Sequence, residues 1–249
     1  MITKNFLNNL ETSLSKTIGI NNAMSWPWVE KFLWFFLLEA LLLFCADIPV
    51  ATYVQGLDDN LPETVDFFRR ITDYGKGAWY LWPTAFLVVF SFFLSRGEDV
   101  PQAYKRLFGY IGIRAFFIFS TVGLSGIAVN ILKVILGRAR PIMLLREGVY
   151  GFEPLSHIEF LWNSMPSGHT TTAFAVAFSL AHLYPKGNIL WLFYACLLAL
   201  SRVMVNAHYL SDVCAGAALG WLTVRLFLDH GIRPLARIIF PIDMRPFQE

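Results

Sequence analysis

A chain of 249 residues can bury a sizeable core as one domain. Its composition places that domain in lipid, with 56% hydrophobic and only 15% charged residues, where soluble domains carry about 25% charged residues. A net charge of +2 with no basic stripe argues against a nucleic-acid partner.

Residues 1–27 contain no apolar stretch of signal-peptide type, so no cleaved leader is expected. Leu7, Leu10, Leu14 and Ile18 recur there at helical spacing among Lys4, Glu11 and Lys16. That pattern suits a short helix on the membrane surface or a solvated amphipathic arm.

Crossing a bilayer takes about 20 mostly apolar residues in helix. Six segments meet that need in chain order: Phe32–Val54, Ala78–Ser95, Ala115–Leu132, Gly168–Tyr184, Asn188–Val205 and Val213–Leu228. The first contains Glu39 and Asp47. Glu39 near mid-span is expected to form a structural ion pair with Arg114, or to sit protonated on one hydrogen bond. Cys45, Cys196 and Cys214 each lie in an apolar run, share no ligand spacing, and read as small buried hydrophobes. Gly216 and Gly220 form a G-x-x-x-G pair, which indicates close helix packing.

The expected fold is therefore all-α, a bundle of six transmembrane helices. A segment 1–27 precedes the membrane domain 28–230, and a tail 231–249 follows. Six crossings put both termini on one side. With the termini cytoplasmic, inner segments carry eleven Lys and Arg against eight outside, three of which the motifs below take up, so the positive-inside rule favours that orientation.

Three polar clusters lie at span ends, all on the expected outer side. The first is "KVILGRARP", with Lys133, Arg140 and Pro141. The second is "PSGH", Pro166 to His169, directly before an apolar run. The third is "SRVMVNAHYLSD", with Ser201, Arg202, His208 and Asp212. Lys133, Arg140 and Arg202 supply three cations, which suits a phosphate better than a carboxylate. A helix beginning at Gly168 offers unpaired N–H groups and partial positive charge to an anion. Gly168 permits close backbone approach, and Ser167 can cap the helix or donate its hydroxyl. His208 and Asp212, four apart, share a helical face, so Asp212 can hold Nδ1–H and leave Nε2 free to attack. Two histidines in one phosphate pocket suit a division of labour, one attacking phosphorus and the other protonating the leaving oxygen.

The order and spacing of these clusters resemble the signature of the type 2 phosphatidic acid phosphatase superfamily, K-x6-R-P, P-S-G-H and S-R-x5-H-x3-D, with every fixed position present. The resemblance implies an integral-membrane phosphatase acting on a lipid phosphate at the outer membrane surface. His208 would be the nucleophile, Asp212 its orienting partner and His169 the general acid. Lys133, Arg140, Ser167, Gly168 and Arg202 would hold the phosphoryl oxygens. No metal or other cofactor is expected, since Asp212 is the only carboxylate within the motifs. The substrate remains open among phosphatidic acid or phosphatidylglycerophosphate, undecaprenyl diphosphate and lipid A 1-phosphate. The loop 142–165 is expected to select the head group. A bacterial inner membrane is the expected location, with the active site facing the periplasm. Phosphotransfer to another acceptor, or binding and transport without turnover, are the alternatives.

Overall fold

The computed structural model describes residues 34, 35, 37–155 and 160–231. The amphipathic segment 1–27 and the tail 232–249 lie outside the described residues. Those described are helical, without a β-strand; an isolated bridge joins Arg138 to Phe152.

Helix α1 runs Leu37–Asn60, with a π stretch at Leu42–Ala46. Helix α2 (Pro62–Ile71) opens on a proline, whose missing N–H costs nothing at a first turn. The 3₁₀ turn Thr72–Gly75 leads to α3 (Ala78–Arg96), then α4 (Gln102–Leu136). A short helix α5 (Pro141–Glu147) follows. The bundle closes with α6 (Gly168–Leu183), α7 (Asn188–Met204) and α8 (Leu210–Leu226).

Among the described residues, five helical segments are long and apolar enough to cross a membrane: Leu37–Asn60, Pro62–Arg96, Gln102–Leu136, Pro185–Met204 and Leu210–His230. The expected span Ala115–Leu132 is the second half of a 35-residue helix that starts at Gln102. Helix-forming residues such as Gln102, Ala103, Lys105, Arg106 and Leu107 extend it beyond the apolar window. The expected span at Gly168 has only 16 helical residues. At about 1.5 Å per residue it is shorter than a hydrocarbon core of about 30 Å.

Helix α6 is instead the centre of the bundle, packed against α4, α7 and α8. Its Ala173, Ala175 and Ala177 are buried. The α8 glycines let it approach α6 closely: a Cβ on Gly216 would fall 2.7 Å from the Ser167 carbonyl oxygen, and one on Gly220 2.7 Å from that of Thr171. The G-x-x-x-G pair is thus a packing face, as its spacing predicts. A second cluster stacks Phe117 on Phe227 beside Val176 and Val224. Outward-facing Trp82, Phe86, Phe93 and Ile127 are exposed, as suits side chains whose solvent is lipid.

Two expectations change. Cys45 and Cys196 face outward and Cys214 is half-buried, because in lipid an apolar run has no dry side to seek. Arg114 lies over the Tyr110 ring, 3.8 Å from its centroid, and Glu39 makes no hydrogen bond through either carboxyl oxygen. The ion pair between them is not formed.

Candidate active site

Four helix ends meet at one end of the bundle. Lys133 lies in the last turn of α4, Gly168 and His169 open α6, Arg202 lies in the last turn of α7, and Asp212 is in the first turn of α8. Two of these ends are N-termini, which carry partial positive charge; that of α8 turns its Ser211 N–H to Asp47.

The turn out of α4 is set by Gly137, at φ +56°, where a Cβ would overlap the Glu153 carbonyl. Only glycine fits there, and the turn carries Arg138 and Arg140 back over the helix end. Arg140 then donates from Nε to the Phe160 carbonyl at 2.8 Å, from Nη1 to Ala207 at 3.0 Å and from Nη2 to Asn163 at 3.1 Å. Lys133 donates to the same Asn163 carbonyl at 2.7 Å. One carbonyl oxygen therefore gathers two cations from opposite ends of the first motif. The 142–165 loop supplies that carbonyl and the one from Phe160, so part of its work is to hold the cations; its residues 156–159 lie outside the described set.

These cations keep donors in reserve. A guanidinium has five N–H donors and an ammonium three, so Arg140 has two uncommitted and Lys133 two. Arg202 donates from Nη1 to the Thr72 hydroxyl at 2.6 Å, and its buried Nε has no partner. Lys133, Arg140 and Arg202 lie within electrostatic reach of one another. Burial first, and Arg202 second, push the Arg140 guanidinium down to about 10. Like charges held this close favour an anion that would separate them.

Gly168 leaves room beside that cluster: a Cβ there would stand 4.0 Å from Cε of Lys133. The Ser167 hydroxyl accepts from Thr170 at 3.1 Å instead of capping α6, and its backbone N–H donates to the Asp212 carbonyl at 2.9 Å. His169 packs against Gly75, so closely that a Cβ on Gly75 would fall 2.9 Å from the imidazole. The same 3₁₀ turn carries Thr72, the partner of Arg202. Lys133 lies within electrostatic reach of both His169 and His208.

His208 precedes α8, and its N–H lies 3.3 Å from the Arg202 carbonyl. Its buried Nδ1 is 3.5 Å from Oδ2 of Asp212 and makes no hydrogen bond, so the expected His208–Asp212 bond is an approach and not a formed contact. Asp212 is fully buried and fixed on both oxygens. Oδ2 accepts from the Ser164 hydroxyl at 2.5 Å and the Tyr209 N–H at 2.9 Å, and Oδ1 from Arg138 at 2.5 Å. All eight residues expected from the sequence thus lie in one neighbourhood.

Four further residues support it. Arg138, fully buried, spans Asp212 and, through Nη2 at 2.6 Å, Asp47 of α1. Ser211 donates its hydroxyl to Asp47 at 2.5 Å and its N–H at 3.0 Å. Ser164 completes the set. Two signals were available: Arg138 lies between the fixed positions of the first motif, and Asp47 is, with Glu39, one of two acids in a mostly apolar span.

Burial is the first cause that pushes the His208 imidazole down to about 3; Asp212 opposes this and Arg140 adds to it. The imidazole is therefore neutral in the folded chain over a range where an unfolded histidine, titrating near 6.5, is protonated. Stability is present in full above that pH and is lost as pH falls toward 3, because the unfolded chain then binds the extra proton. The unfolding temperature in detergent is expected to drop between pH 6.5 and 4, and to drop less in His208→Gln.

A sequence model of the PAP2 superfamily matches residues 114–230. The lipid A 1-phosphatase of Rhizobium etli is 32% identical over 83% of this chain and 91% of its own length. The chain belongs to the PAP2 superfamily. It is also 36% identical to the lipid A 1-phosphatase of Rhizobium johnstonii, over 68% of this chain and 74% of that protein. The bacitracin transport permease protein BcrC of Bacillus licheniformis matches at 29% over 64% of this chain and 76% of its own length. Among solved structures, a transmembrane PAP2-type phosphatidylglycerolphosphate phosphatase from Bacillus subtilis shares the fold, with a TM-score of 0.54 at 22% identity over 85% of this chain and 96% of that one. The chain is a PAP2-type phosphatase in a multi-pass membrane fold.

Proposed function

We propose that this phosphatase removes the 1-phosphate of lipid A through a phosphohistidine on His208. The observation that carries the reading is the convergence of Lys133 and Arg140 on the Asn163 carbonyl, beside an imidazole whose Nδ1 faces Asp212. The Rhizobium relatives favour lipid A among lipid phosphates.

The reserve donors of Lys133, Arg140 and Arg202, with the α6 N-terminus, take the phosphoryl oxygens. Neutral His208 attacks phosphorus through Nε2, and the bond to the leaving oxygen breaks. His169 gives that oxygen its proton, so the sugar departs as an alcohol. His169 then takes a proton from water, whose oxygen attacks phosphorus and releases inorganic phosphate with His208 restored. The charge spread over the equatorial oxygens in each transition state meets donors already in place.

The reading includes α6 as a sixth crossing with both termini cytoplasmic and the site facing the periplasm of a bacterial inner membrane. Central burial of α6 supports this, because protein and not lipid surrounds its short length. The test is a detergent assay in EDTA with lipid A, phosphatidic acid, phosphatidylglycerophosphate and undecaprenyl diphosphate. Phosphate release with kcat/KM highest for lipid A, undiminished by EDTA, is expected. Loss of turnover in EDTA, restored by a divalent ion, would overturn the mechanism; preference for another lipid would overturn the substrate.

A further inference from the structure

A cavity of about 710 Å³ lies between α1, the end of α4, the Met165–Pro166 turn and α8. Leu43, Leu132, Leu136, Ala218 and Leu222 are among its walls, and every described lining residue except one is apolar. The exception is Glu39, only 5% exposed, whose two carboxyl oxygens are both buried without a hydrogen-bond partner. The cavity abuts the phosphate cradle: Leu132 and Leu136 flank Lys133, and Pro166 directly precedes Ser167. Its rim includes Phe44, 88% exposed on the outside of the bundle, so the space opens toward the bilayer. Its size is that of a ligand pocket.

An unpartnered buried carboxyl is costly. In either protonation state it keeps lone pairs that accept hydrogen bonds. Glu39 stands eight residues before Asp47, about two turns farther along α1 from the buried network that holds Asp212. A chain whose phosphate sits in the cradle would pass it early in its length. Ester-linked chains offer only acceptors there, whereas an amide N–H or a chain hydroxyl offers the donor that Glu39 lacks.

We propose that this cavity receives an acyl chain of the lipid substrate, and that Glu39 selects chains carrying an amide N–H or hydroxyl near the phosphate. The inference rests on the lipid-phosphatase reading above. It makes Glu39 a specificity residue set apart from the atoms that react.

The test uses the full chain in detergent with two lipid phosphates, one with an amide-linked hydroxyacyl chain and one with ester-linked chains only, and their non-hydrolysable phosphonates carrying a photoreactive group in the chain. The amide-linked phosphonate is expected to crosslink to α1 and to Ala218–Leu222 of α8, and Ala218→Phe, which fills the cavity, to reduce that yield. Glu39→Leu is expected to lower the amide-to-ester ratio of kcat/KM about tenfold, the worth of one hydrogen bond to a buried acceptor. Glu39→Gln, which keeps a carbonyl acceptor, should restore most of the ratio. Crosslinks outside the cavity, or an unchanged ratio in Glu39→Leu, would overturn the proposal while leaving the phosphatase reading intact. Cavity crosslinks without turnover of either lipid would instead sink the phosphatase reading and leave the cavity standing.

Discussion

Replacing His208 with alanine is expected to reduce lipid-phosphate hydrolysis by roughly 10⁴-fold or more, the scale seen when a covalent nucleophile is removed. Among the described residues, none nearby is placed to substitute for it. His169 lies against Gly75 on the far turn, and Ser164 is committed to Asp212 at 2.5 Å. Because Lys133, Arg140 and Arg202 remain, lipid phosphate should still bind, and the loss should fall on kcat with little change in Kd. Rapid quenching of the unaltered enzyme with labelled substrate should trap a phosphoryl group that survives base and is lost in acid. His208→Ala should trap none. A variant that hydrolyses lipid at more than a few per cent of the normal rate, or that still forms an acid-labile adduct, would move the nucleophile elsewhere.

The candidate site was legible because its residues cluster at the ends of apolar helices. A spacing of four brings His208 near Asp212 but not onto the shared helical face expected, because α8 begins only at Leu210; a glycine and histidine after Pro166 read as a helix mouth, and α6 does begin there. Their joint placement follows from helix ends at one side of a bundle, which the order of spans already implies. Two features were hidden. The spans at Ala115 and Gly168 differ from the hydropathy windows because α4 extends through polar helix formers, and because α6, sheathed by its neighbours, need not match the full lipid thickness. The roles of Asp47 and Arg138 depend on contacts 91 and 74 residues apart, which no local period reveals. Glu39 reads from the sequence as a mid-span acid, but its surroundings do not: they are formed by α4 and α8 residues and do not include Arg114.

The second large effect is expected at Arg138. Its guanidinium is enclosed with Asp212, 2.5 Å from Nη1, and Asp47, 2.6 Å from Nη2, all three side chains at zero exposure. Among the described residues, no Lys or Arg other than Arg138 pairs with either carboxylate, while Ser211 and Ser164 add hydroxyl donors. Arg138→Met leaves both acids buried and uncompensated, at a cost of about 3–5 kcal/mol. The unfolding temperature should fall accordingly. Asp212 would also lose the contact that fixes Oδ1, and with it the orientation of His208, a displacement of the kind that costs about 10²-fold in rate. Arg138 makes no hydrogen bond to Lys133, Arg140 or Arg202, the three cations proposed to hold phosphate, so kcat should fall while KM stays within a few-fold. The double variant Asp47→Asn with Arg138→Met removes one of the stranded charges, and should recover part of the stability without recovering kcat. A purely structural Arg138 would predict the opposite pairing, with rate returning alongside stability. Unfolding curves and steady-state kinetics on the two variants, measured in the same detergent, decide between them.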